Sequence, residues 1–201
     1  PAQGQVNRQL RVVVTFTDDG GFTEILTSAA TIVVGDRIIG NNNGQTHTGN
    51  AGEDFISARG GNDTLNGLAG NDILEGENGN DNLNGGAGND LMTGGAGTDT
   101  AIYAAALANY GFSLSNVGNL LVTDLRAGSP EGVDTLIETE QAQFNGQTSV
   151  LRVGTNAADT ITVNGGSDLL IGLGGNDTLS AGGGADFLIG GFARSDKTQA
   201  L

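Results

Sequence analysis

The chain is predicted to be all-β and built from a short repeat, and three observations carry that expectation. Asp54, Asp63, Asp72, Asp81, Asp90 and Asp99 fall nine residues apart, and Asp159, Asp168, Asp177 and Asp186 form a second series at the same spacing. A fixed period of this kind marks a fold made of stacked identical units. Other positions keep the same register, with glycine before each aspartate and an apolar residue after it. Upstream, Leu10, Val12, Val14 and Phe16 alternate with Arg11, Val13, Thr15 and Thr17, the period of a β-strand.

The register is strict. Two residues before the aspartates stand Gly52, Gly61, Gly70, Gly79, Gly88 and Gly97, then Gly166, Gly175 and Gly184, with Ala157 the exception. Two residues after them stand Ile56, Leu65, Leu74, Leu83, Met92 and Ala101, then Ile161, Leu170, Leu179 and Leu188. The gap from Asp99 to Asp159 is 60 residues, not a multiple of nine, so two arrays are separated by an insertion.

Composition explains why such a chain needs help to fold. It has 36 glycines, no Trp and 4% aromatic residues, so little apolar material offsets a large loss of backbone freedom. The 23 acidic residues outweigh 8 basic ones, giving a net charge of -15. That balance disfavours nucleic acid and anionic membrane as partners, because phosphate binding needs basic patches. High acidity alone would suggest a solvated or disordered surface, but ten of the sixteen aspartates lie on the nine-residue grids, so the charge has a positional purpose. There is no Cys, so disulfides do not supply the missing stability. No apolar run approaches the roughly 18 residues of a membrane span. Pro1 is not a natural start, so the expectation is a segment of a longer protein.

The units Gly76-Glu-Asn-Gly-Asn-Asp-Asn-Leu-Asn84 and Gly85-Gly-Ala-Gly-Asn-Asp-Leu-Met-Thr93 fit the pattern G-G-x-G-x-D-x-U-x, with U a large apolar residue. On these motifs the sequence resembles the RTX family of hemolysin-type calcium-binding repeats, over roughly half the chain. The resemblance implies a right-handed parallel β-roll in which two repeats make one revolution. It also implies calcium held between turns stacked on one side, which come from alternate repeats. The pairs would be Asp54 with Asp72, Asp63 with Asp81, Asp72 with Asp90, Asp81 with Asp99, Asp159 with Asp177 and Asp168 with Asp186. About four ions in the first array and about two in the second follow from that pairing.

The residue types fit this chemistry independently. Glycines permit the positive φ of a tight turn and expose carbonyls at close range. Calcium takes six to eight oxygens from carboxylates and carbonyls. Candidate carboxylate ligands are the ten grid aspartates. Candidate carbonyl ligands are Gly61, Gly70, Gly76, Gly79, Gly85, Gly88, Gly94, Gly172 and Gly175. Ordering nine backbones costs more than burying one Leu returns, so no repeat folds alone. Strands stacked about 4.8 Å apart would bring like carboxylates together. They repel by about 3 kcal/mol at an effective dielectric near 20, until a cation turns repulsion into attraction.

The chain divides into 1–34, closing strands of an Ig-like module or a cap; 35–102, the first array; 103–150, a β connector; 151–191, the second array; and 192–201, a tail. Asp18-Asp-Gly-Gly21 is a turn signal, with a second strand running from Glu24 to Val34. Gly40 to Thr48 reads as a degenerate repeat with Gln45 in place of Asp, and His47 within it as an exposed loop residue. In the connector, Tyr110–Leu114 and Leu120–Asp124 read as a hairpin around Asn116-Val-Gly-Asn119. Gly132, Asp134 and Leu136 reproduce the repeat spacing once, which makes Asp134 a further candidate ligand. Tyr103, Tyr110 and Phe112 read as core packing.

The resemblance implies a secreted or cell-surface protein. Its calcium-binding module would fold outside the cell and support passage through type I secretion machinery, whose signal is absent from this segment or cut away. The alternative is a structural or adhesive segment of a surface adhesin with a cell-surface partner. Catalysis is not expected. Identical carboxylates on a grid are ligands rather than an acid and a base in distinct surroundings, and one His with no Cys leaves no nucleophilic triad. An ice-binding solenoid would need a regular Thr grid. The row Phe55, Thr64, Ile73, Asn82, Leu91 and Thr100 has none.

Overall fold

The computed structural model describes residues 13–17, 23–27, 34–154, 157–172 and 174–190. Near the N-terminus, β1 (Val13–Thr17) and β2 (Thr23–Thr27) form an antiparallel pair in which Val13 faces Thr27. Leu10, Val12, the Asp18–Gly21 turn and residues 28–33 lie outside the described residues, as does the tail.

From Arg37 onward, short strands alternate with glycine-rich turns. They are β3 (Arg37–Ile39), β4 (Thr46–Thr48), β5 (Phe55–Ser57), β6 (Thr64–Ala69), β7 (Ile73–Asn78), β8 (Asn82–Ala87), β9 (Leu91–Ala96) and β10 (Thr100–Tyr103). Each strand pairs in parallel not with its neighbour in sequence but with the next but one. The chain thus alternates between two sheets, and two repeats complete one coil. This is the parallel β-roll that the resemblance implies.

In the first array the apolar residue two after each aspartate faces inward. One sheet stacks Ile38, Ile56, Leu74 and Met92 in register; the other stacks His47, Leu65, Leu83 and Ala101. Ile56, Leu65, Leu74, Leu83, Met92 and Ala101 are all fully buried. His47 is not the exposed loop residue its setting suggests. It sits in β4 opposite Leu65, half-buried, with Nε2 shielded from solvent and without a hydrogen-bond partner. The register puts it there: it lies two residues after Gln45, at the inward position of the degenerate repeat.

The turns need glycine because coils stack closely. Gly88 has φ +133°, and a Cβ there would collide with the carbonyl of Gly70 one coil away. One turn position is less well served. Gly86 and Gly95 take φ +100° and +106°, but the equivalent residues Arg59, Leu68 and Glu77 are forced to φ +77°, +81° and +72°. A non-glycine residue in that region costs about 1–2 kcal/mol, against about 0.5–1 kcal/mol for the extra freedom glycine loses. Leu68 is half exposed and contributes little burial. Leu68→Gly is therefore expected to stabilise the folded roll by about 0.5–1 kcal/mol. Urea unfolding in calcium checks this, and a lower midpoint would contradict it.

After β10 the chain leaves the roll and returns. β11 (Tyr110–Leu114) and β12 (Leu120–Asp124) form the expected hairpin. β13 (Val133–Ile137) then pairs antiparallel with β12 and parallel with β9, setting Leu136 beside Met92. β14 (Gln141–Phe144) pairs parallel with β10, setting Ala142 beside Ala101. Residues 133–144 therefore add one more coil to the first roll. β15 (Gln147–Val153) turns back antiparallel to β14 and starts the second array. There β17 (Leu169–Ile171) lies between β15 and β19 (Phe187–Ile189), while β16 (Thr160–Thr162) pairs with β18 (Thr178–Ser180).

Aromatic packing holds the excursion. Tyr103 stacks on Phe144 with ring centroids 5.2 Å apart, Tyr110 tilts against both, and Phe112 bridges Phe144 to Phe187. Asp124 binds Arg126 at 2.8 Å and accepts the Glu131 N–H, while Arg126 also pairs with Glu131 at 2.7 Å. Those bonds, chiefly from the Arg126 guanidinium, hold the Asp124 carboxyl down at about 2.

Candidate metal centre

The grid aspartates stand at the end of each turn, just before the strand, where the turn delivers the carboxylate to the edge of the roll. Their side chains form two ladders, one along each edge. On one edge, Asp54 Oδ1 accepts the Asp36 N–H, Asp72 Oδ1 accepts the Asp54 N–H at 2.7 Å, and Asp90 Oδ1 accepts the Asp72 N–H at 2.8 Å. On the other, Asp63 accepts from Gln45 at 2.6 Å, Asp81 from Asp63 at 2.7 Å and Asp99 from Asp81 at 2.8 Å. In the second array, Asp177 accepts from Asp159 at 3.0 Å and Asp186 from Asp168 at 3.1 Å. Every pair expected from alternate repeats is joined.

Most of these carboxylates spend one oxygen on a ladder, and in seven of them the other is left over. Asp63, Asp72, Asp81, Asp90, Asp99, Asp168 and Asp177 each hold Oδ2 out of solvent with no hydrogen-bond partner. Asp54 differs, because Asn50 donates its backbone N–H to that oxygen at 2.6 Å. A buried carboxylate oxygen without a partner is costly, and seven in register call for a common explanation.

The glycines locate what the oxygens face. A Cβ on Gly67 would meet both Asp72 Oδ2 and the Gly85 carbonyl, one coil on. A Cβ on Gly76 would meet Asp81 Oδ2 and, at 2.7 Å, the Gly94 carbonyl. A Cβ on Gly154 would meet Asp159 Oδ2 at 2.8 Å and the Gly172 carbonyl at 2.7 Å. Carboxylate and carbonyl oxygens from successive coils therefore converge beside a residue with no side chain. That donor set is all oxygen and suits a hard cation such as calcium. Among the described residues, no three His, Cys, Asp or Glu side chains gather as a metal cluster, since carbonyls provide much of the donor set.

Electrostatics agree. Burial pushes the carboxyl groups of Asp72, Asp90 and Asp99 up to about 6, with their ladder hydrogen bonds pulling back and neighbouring carboxylates adding to the rise for Asp72 and Asp99. Asp81 is raised for the same reasons. Asp134 goes furthest, to about 8, through burial and the nearby Asp90 and Glu131 charges. The stack without cations holds its negative charge at a cost.

Of the glycines expected to offer carbonyls, Gly85, Gly94 and Gly172 have theirs beside a carboxylate of the neighbouring coil. Gly61, Gly70, Gly79, Gly88 and Gly175 take positive φ at the stacked bend of the turn, where Gly79 and Gly88 press on the carbonyls of Gly61 and Gly70. Sequence reasoning missed Gly67, whose carbonyl lies near Asp54 Oδ2 and Gly49. It also missed Asp36, which lies eighteen residues before Asp54, with Ile38 inward. Their signals were the register itself; Val34, where glycine is usual, hid Asp36.

A parallel roll whose edges carry stacked carboxylates and converging carbonyls defines a calcium-binding repeat module. The family model of the RTX calcium-binding nonapeptide repeat matches at residues 39–74, 48–83, 66–101 and 153–192, together about half of the chain, and the chain belongs to that family. The family's repeats are a structural calcium-binding module rather than a catalytic one. Among curated proteins none matches this chain. Among solved structures, the extracellular lipase LipA from Serratia marcescens aligns with 71% of this chain at 20% identity and a TM-score of 0.26. This chain spans 25% of that one, and so slight a likeness has no bearing on function.

Proposed function

We propose that this chain is the calcium-responsive folding module of a larger secreted protein. At low calcium the like charges of the turns hold it open; at the millimolar calcium outside a cell the ions enter the turns and the roll closes. Such a module crosses a type I secretion channel unfolded and then stabilises the protein that carries it. The grid aspartates and the carbonyls of Gly67, Gly85, Gly94 and Gly172 supply the ligands. The two arrays and the connector act as consecutive parts of one non-catalytic device.

The observation that carries this reading is the row of buried carboxylate oxygens without partners. Calcium would partner them, and its binding free energy is folding free energy. The test is limited proteolysis at submicromolar and at millimolar calcium, a range that separates intracellular buffers from extracellular modules. Rapid cleavage within the arrays at low calcium and protection at high calcium are expected. Equal resistance at both would overturn the proposal.

A further inference from the structure

The ladder along one edge of the first roll does not stop where the nine-residue repeats stop. Asp99 is the last grid aspartate there, and the next repeat would place a carboxylate near residue 117. The chain is instead away in its hairpin, returning through β13 to the turn that precedes β14. In that turn Glu140 Oε2 accepts the Asp99 N–H at 2.8 Å, where every other N–H of this ladder donates to an aspartate. The Glu138 carbonyl accepts the Gly95 N–H at 3.1 Å.

The donor arrangement of the repeats is reproduced as well. A Cβ on Gly94 would meet the Glu138 carbonyl and, at 2.7 Å, Asp99 Oδ2. This matches Gly67 with the Gly85 carbonyl and Asp72, and Gly76 with the Gly94 carbonyl and Asp81. Asp99 is wholly buried and its Oδ2 has no hydrogen-bond partner. That oxygen is aimed at the same point as the Glu138 carbonyl. Glu138 has φ +49°, so the short turn takes a glycine-like conformation to place that carbonyl.

We propose that Asp99, the Glu138 carbonyl and Glu140 form a further calcium site, made at the junction of the first array and the connector by the last repeat aspartate and two residues outside any nonapeptide. It rests on the reading of the repeats as calcium sites. Glu140 stands beside Asp99 in the register that pairs Gln141 with Thr100, the place an aspartate takes in a repeat. The site ties the returning connector to the array. The opposite edge is built differently: Asp134 accepts the Asp90 N–H at 2.9 Å, but Gly85 there is approached most closely only by Asp90's own atoms.

Native mass spectrometry of the whole chain in calcium counts the ions. Glu140→Gln keeps an acceptor for the Asp99 N–H but loses the charge, and is expected to bind one ion fewer than the parent. Glu138→Ala keeps the backbone carbonyl and is expected to bind the full number. An unchanged count in Glu140→Gln, with the parent binding calcium, overturns the junction site and leaves the repeat sites standing. No calcium bound by the parent overturns the repeat reading itself. Should Glu140→Gln fail to fold, the calcium-grown crystal of the parent decides. A long-wavelength anomalous peak between Asp99 and Glu138 supports the site, and peaks in the repeats with none at the junction overturn it.

Discussion

Asp72→Asn is expected to move the two states of the roll in opposite directions. In excess chelator the variant should show more β-structure than the parent. With calcium it should need on the order of tenfold more ion to fold, because ligand charge sets affinity at such sites. Asp72 Oδ1 receives the Asp54 N–H at 2.7 Å, a bond an amide oxygen keeps. Its Oδ2 faces the Gly85 carbonyl. An amide NH2 in that place donates to the carbonyl and removes a charge that burial and the Asp90 and Asp54 carboxylates already disfavour. Calcium loses a charged ligand by the same change. Paired circular dichroism titrations, in chelator with urea and in calcium, check both halves. Destabilisation of the calcium-free form would mean that Asp72 is a turn former only.

Acid should substitute in part for calcium. Asp72, Asp90 and Asp99 titrate near 6 in the folded chain and Asp134 near 8, all raised from an ordinary aspartate by burial first. A raised carboxyl favours the fold only when protonated. Its contribution is complete below about pH 4 and is lost as pH rises through about 6, and for Asp134 through about 8. Asp124, held at about 2 by Arg126, acts in the other sense: its contribution is present above about pH 4 and fades as pH falls toward 2. In chelator, β-structure should therefore be least near pH 8 and greatest near pH 4–5, then decline. With calcium the trend reverses, because protons compete for the ligand oxygens, and the calcium midpoint should rise as pH falls. A flat pH profile in chelator would show that the buried carboxylates carry no strain.

The roll was legible in the sequence because period and chemistry coincide there. A residue two after each aspartate can only be inward in a strand that follows a fixed turn, so Ile56 through Ala101 announced the core. The ladder pairs followed from the two repeats per coil that the family resemblance implies. What stayed hidden breaks the period. Glu140 joins a ladder 41 residues from its partner, which no nine-residue register suggests, and although Asp134 shows the repeat spacing, its partner 44 residues back does not follow from it. The stacking of Tyr103 on Phe144 closes that gap in space, and tertiary packing of this kind has no local signature. His47 and Asp36 were obscured for a simpler reason. Each keeps the register while a neighbour departs from the motif, Gln45 in one repeat and Val34 in the other.

The roll's dependence on the cation for its shape is tested most directly by far-ultraviolet circular dichroism of the whole chain at neutral pH, titrated with calcium from excess chelator, with magnesium as control. Conversion from a largely unordered spectrum to a β spectrum at saturating calcium, with magnesium ineffective at the same concentration, is expected. A full β spectrum already present in chelator at neutral pH would show that the stacked carboxylates need no ion, and the proposed coupling of calcium to folding would be wrong.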